Sequence, residues 1–77
     1  MYWPFKATVK FVDDDGRELR LQYAVSAGDS LAAKCELERR FFSQEVFGYT
    51  IENPIAATKQ EAAMFNLPAG CIQLLGY

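Results

Sequence analysis

The chain has 77 residues, enough for one domain, residues 1–77, and no more. Hydrophobic residues make up 51% and aromatics 14%, which excludes a disordered chain. A net charge of −2 argues against the clustered basic footprint of nonspecific nucleic-acid binding, and two cysteines without a histidine leave no disulfide framework and no histidine-based chemistry.

The N-terminal residues Met1 to Phe5 read MYWPF. Pro4 lets the chain enter a first or edge strand but not pair fully there, so Tyr2 and Trp3 are expected on an N-terminal arm. No basic segment followed by an apolar run marks a signal peptide, and no apolar stretch approaches the ~20 residues of a membrane helix. A cytoplasmic protein is expected.

Phe5 to Val25 reads as a β-hairpin. Phe5, Ala7, Val9 and Phe11 alternate with Lys6, Thr8 and Lys10; Leu19, Leu21, Tyr23 and Val25 alternate with Glu18, Arg20 and Gln22. Paired residues share a face, and the apolar members of both strands carry odd numbers. A two-residue Asp15-Gly16 turn would set Phe11 against Arg20, on the wrong face. A three-residue loop of Asp14, Asp15 and Gly16 sets Phe11 against Leu19 and Val9 against Leu21, with Gly16 in the left-handed region. The same register places Lys10 opposite Arg20, with Lys6 nearby, on the face turned away from the helix. Opposed like charges need a counter-charge, and Glu18 is the local candidate. Lys6, Lys10 and Arg20 are therefore a candidate anion-binding patch, set against the ordinary reading of a solvated outer face.

Asp29 to Phe42 is the clearest helix. Asp29 and Ser30 are good N-caps, and Leu31 to Phe42 contains no glycine or proline. At about 100° per residue, Leu31, Cys35 and Phe42 share one face, with Leu37 and Phe41 on its flank, and this face is expected to be buried. Glu38 falls within the stripe. It reads as a side chain lying along the edge of the buried surface near Lys34, the alternative being a half-buried carboxylate with a raised pKa.

Val46 to Glu52 reads as a strand with Phe47, Tyr49 and Ile51 alternating, and Gly48 within it marks a bulge or a close approach. Thr58 to Glu61 form a capping box ahead of Ala62 to Phe65. A second, short helix should start by Thr58 and end by Asn66, and Asn53-Pro54 could start it earlier. Leu67 to Gly70 is a loop. Cys71 to Leu75 is a last strand with Ile72 and Leu74 facing the core. Cys35 and Cys71 read as small apolar residues rather than a disulfide.

The expected fold is α+β, ββαβ(α)β: a four-stranded, mostly antiparallel sheet with one long helix on one face. This order of hairpin, long helix, strand, short helix and final strand resembles the ubiquitin-like β-grasp fold. Modifiers and sulfur carriers of that family end in Gly-Gly. This chain ends Leu74-Leu75-Gly76-Tyr77, so the resemblance implies only a protein-binding module.

No P-loop, GxGxxG or CxxC is present. The acidic run Asp13-Asp14-Asp15 lacks the later glutamate of a calcium loop and reads as a polar turn. No catalytic residue, cofactor or metal site is assigned. The surplus of aromatics, Tyr2, Trp3, Phe41, Phe47 and Tyr49, exceeds what one helix over one sheet face is expected to bury. The functional expectation is a non-enzymatic protein-interaction module that self-associates as a homodimer or binds another protein. The alternative is nucleic-acid or anion binding through Lys6, Lys10 and Arg20.

Overall fold

In a computed structural model, which describes residues 2–68 and 70–76, the chain is α+β with five antiparallel strands and two helices. Met1, Ala69 and Tyr77, and with them part of the expected 67–70 loop and the chain end, lie outside the described residues. The strands are β1 (Trp3–Val12), β2 (Glu18–Ala27), β3 (Tyr49–Ile51), β4 (Ile55–Ala56) and β5 (Ile72–Gly76). The helices are α1 (Ser30–Ser43) and α2 (Lys59–Phe65).

The hairpin has the expected register. Phe11 pairs with Leu19, Val9 with Leu21 and Lys10 with Arg20. Gly16 has φ +80° and donates its N–H to the Asp13 carbonyl at 3.0 Å, closing the three-residue loop. Asp13 Oδ1 accepts from the N–H groups of Asp15 (3.0 Å) and Arg17 (2.8 Å), so the first acidic residue shapes the turn.

Pro4 does not keep the N-terminus out of the sheet. β1 starts at Trp3, and Pro4 pairs with Ser26. Ser26 gives its own N–H to Cys71 on its other side, so this pair needs no hydrogen bond from Pro4. The Pro4 carbonyl accepts from the Ala57 N–H at 3.0 Å.

The sheet order is β3-β1-β2-β5, with β4 also on β1. The sequence reading of four strands misses β4. Residues 53–56 do not begin α2; Ile55 and Ala56 pair with Lys6 and Phe5 instead. β3 and β4 lie along one side of β1, and the pairing slips by one residue between them, from Val9↔Ile51 to Phe5↔Ala56. Pro54, buried and without an N–H, sits in that slip. The β-grasp likeness stops at element order. β5 lies on the outer edge beside β2, and β1 has β2 on one side and β3 and β4 on the other.

α1 is capped by Asp29, whose side chain accepts from the Ala32 N–H at 2.7 Å. Its buried residues are Ala33, Leu37 and Phe41. The expected inner face is therefore corrected: Leu31 and Phe42 are 69% and 74% exposed, and Cys35 is exposed. The two stripes lie roughly 140° apart around the helix at about 100° per residue. Ala33 joins Ala7 and Ala27 in the same buried cluster, and Leu37 and Phe41 supply the bulk of the buried face. Glu38 is exposed with the outer stripe.

α1 ends in a Schellman motif. Val46 donates to the Phe41 carbonyl (2.9 Å) and Glu45 to the Phe42 carbonyl (3.1 Å), with Glu45 at φ 57° where glycine is usual. This turn shortens the expected 46–52 strand to Tyr49–Ile51. Gly48 precedes it at φ +74°, with open space around it, so it serves a turn rather than a bulge or close approach. α2 carries the expected capping box: Thr58 Oγ1 accepts from the Glu61 N–H (3.2 Å), and Glu61 Oε1 accepts from the Thr58 N–H (3.0 Å). It ends at Asn66 in the left-handed conformation. In β5, Ile72 packs on the core as expected; Leu74, opposite Tyr23, is 55% exposed on the edge strand.

Candidate functional site

The aromatic residues divide into two groups. Phe41 is core: its ring meets Phe11 at 5.8 Å, Tyr23 at 5.6 Å and Tyr49 at 4.8 Å between centroids. Burial raises the pKa of the Tyr23 hydroxyl. Tyr49 is half-buried against this cluster. Trp3 is half-buried too, and its indole N–H donates to the Ala57 carbonyl at 2.8 Å, fastening β1 to the start of α2. Of the five expected partner-binding aromatics, Phe41 is buried, and Trp3 and Tyr49 are half-buried. Tyr2 and Phe47 are exposed, Phe47 at 69%.

Phe47 lines a groove of about 410 Å³ at the tip of the hairpin. Phe11, Val12 and Leu19 complete its apolar lining; Gly48 and the polar residues Asp13, Arg17 and Glu18 border it. Val12 and Leu19 are themselves exposed. The Glu45 and Gly48 turns deliver Phe47 here, because they carry the chain off the helix end instead of continuing a strand. Sequence reasoning missed Val12 and Leu19 as site residues. Leu19 pairs with Phe11 on the helix side and Val12 with Glu18 on the other face, so only the path of the chain after α1 brings Phe47 beside both.

A second apolar surface is the outer stripe of α1, with Leu31, Cys35 and Phe42 exposed around Glu38. Ile55 and Met64 add two further exposed apolar side chains elsewhere.

The candidate cationic patch is matched by carboxylates. Lys10 Nζ lies 3.0 Å from Glu18 Oε1, and Arg20 Nε lies 3.6 Å from Glu18 Oε2. The hydrogen bond from Lys10 is the main cause that lowers the Glu18 pKa. Lys6 Nζ lies 2.6 Å from Glu61 Oε2, and this bond, with the Thr58 backbone bond, lowers the Glu61 pKa. The face opposite α1 is therefore not an unshared row of cations. It is also partly covered, since Ala24 and Ser26 are buried and α2 reaches Lys6.

Cys35 and Cys71 are free thiols. Among the described residues no helix is long and apolar enough to cross a membrane. No family model matches the chain, and neither does any curated protein or solved structure.

Proposed function

We propose that this chain is a non-enzymatic protein-interaction domain that self-associates, with a second copy covering the apolar surface around the hairpin tip. The carrying observation is the distribution of apolar bulk. Among the described residues the buried hydrophobics are half alanine: Ala7, Ala24, Ala27, Ala33 and Ala57 beside Val9, Val25, Leu37, Phe41 and Ile51. Nine large apolar residues among those described stay exposed, including Val12, Leu19 and Phe47 at one end of the molecule. A chain of this length buries only about 60% of its unfolded surface. A typical interface takes about 800 Å² per partner, roughly 15% of this chain's 5376 Å² surface. Association would supply the burial that the alanine-rich interior lacks.

Light scattering across a concentration series tests this directly. The expected result is a reversible dimer whose fraction rises with concentration and falls in a Phe47→Ser variant. A strict monomer at all concentrations would overturn the reading. The alternative, nucleic-acid or anion binding through Lys6, Lys10 and Arg20, has less support because a carboxylate neighbours each cation. Binding of a mixed oligonucleotide that weakens steeply with salt would revive it.

A further inference from the structure

β5 is an edge strand. The Ser26 N–H goes to the Cys71 carbonyl at 3.0 Å, and Ala24 pairs with Gln73. Alternation along an antiparallel ladder then turns the backbone N–H and C=O groups of Ile72 and Leu74 away from β2. Among the described residues no backbone group outside the sheet pairs with them. Such a row of groups is a template for another strand.

A groove of about 220 Å³ opens between α1 and the start of β5. Ile72 and Gly70, in the turn before β5, form one wall; Glu36, Arg39, Arg40 and Ser43 form the helix wall. Glu36 and Arg39 approach each other at 3.5 Å, while Arg40 has no carboxylate partner among the described residues. The groove is thus net positive on a chain of net charge −2. It shares no residue with the hairpin-tip groove.

We infer that β5 accepts an extended acidic peptide segment, which adds a strand to the sheet and sets carboxylate side chains against Arg40 and Arg39. Main-chain pairing with Ile72 and Leu74 supplies the attachment, and an apolar side chain of the incoming strand lies on Ile72. Charge complementarity selects acidic segments over basic ones. A peptide satisfies the free edge groups as well as the arginines, whereas a nucleic-acid strand satisfies only the arginines.

The test uses the full chain and a labelled short peptide of alternating valine and glutamate. Three comparison ligands are needed: the same peptide with alternate backbone amides N-methylated, its lysine counterpart, and a short thymidine oligonucleotide. Affinity is read by fluorescence anisotropy and location by backbone amide chemical shifts. The acidic peptide should bind and move the amides of Ile72 and Leu74. N-methylation of the peptide, or an Arg40→Glu change in the exposed wall, should weaken binding by about tenfold or more. Absent binding would overturn the inference, as would equal affinity for the lysine peptide or the oligonucleotide. So would undiminished binding of the N-methylated peptide, or shifts confined to residues outside β5.

Discussion

Gly16 and Glu45 both hold left-handed backbone conformations, one without a side chain and one with. Gly16 occupies φ +80° in a turn where no side chain is needed. Glu45 occupies φ 57° at the position after a helix cap, where a β-carbon is unfavourable by about 1 kcal/mol or more. The two sites should therefore respond in opposite directions. Glu45→Gly should stabilise the fold by about 0.5–1 kcal/mol, a rise of a few degrees in melting temperature. Gly16→Val should destabilise it by about 1–2 kcal/mol. Thermal denaturation of both variants checks the pair. Glu61 makes a third residue-scale case, because it caps α2 and also meets Lys6. Its folded pKa lies below its ordinary 4.5, so its stabilising contribution is full above that value. The contribution is lost as the pH falls from 4.5 through the lower folded pKa. Acid titration of stability should show a shallower loss in Glu61→Gln than in the parent chain; an identical acid limb would contradict the assignment.

At the scale of elements, α1 presents two apolar stripes and the sheet accepts one. Leu37 is fully buried and Leu31 largely exposed, so the same substitution should separate them. Leu37→Ala should cost about 2–5 kcal/mol, and Leu31→Ala less than about 0.5 kcal/mol in the monomeric fold. Denaturant unfolding of the two variants measures the difference. Comparable losses would mean the helix is rotated from the orientation described. α2 buries none of its own residues fully, and its start rests on the capping box. Thr58→Ala should cost about 1 kcal/mol. That loss should be read first in local exchange of the α2 amides, because a short helix opens before the sheet does.

For the whole molecule, the balance of small interior and exposed apolar exterior governs behaviour. If a second copy covers the hairpin-tip groove, the melting temperature should rise with protein concentration, because association stabilises the folded state by mass action. Phe47→Ser should flatten that dependence while leaving the dilute melting temperature nearly unchanged, since Phe47 is mostly outside the monomer core. A concentration-independent melting temperature in the parent chain would count against self-association.

Much of the local structure was legible in the residues themselves. The odd-numbered apolar alternation and the Asp14-Asp15-Gly16 loop determined the hairpin register, because a one-residue slip would turn every side chain to the wrong face. Asp29 and the Thr58–Glu61 box determined where both helices start, because capping is chemistry within four residues. Glu18 was identifiable as the partner of Lys10 and Arg20 from the same register. Tertiary structure alone decided the rest. It chose Ala33, Leu37 and Phe41 over Leu31, Cys35 and Phe42, because Phe41 packs against Phe11, Tyr23 and Tyr49, residues distant in sequence. It drew residues 55–56 into β4, since β1 offered an unpaired side that residue-by-residue propensity does not represent. It placed β5 at the edge beside β2, a choice between distant strand pairings on which local sequence has no hold. The surface proposed for a partner depends on those decisions and on the turns at Glu45 and Gly48, which together leave Phe47, Val12, Leu19 and the β5 edge uncovered.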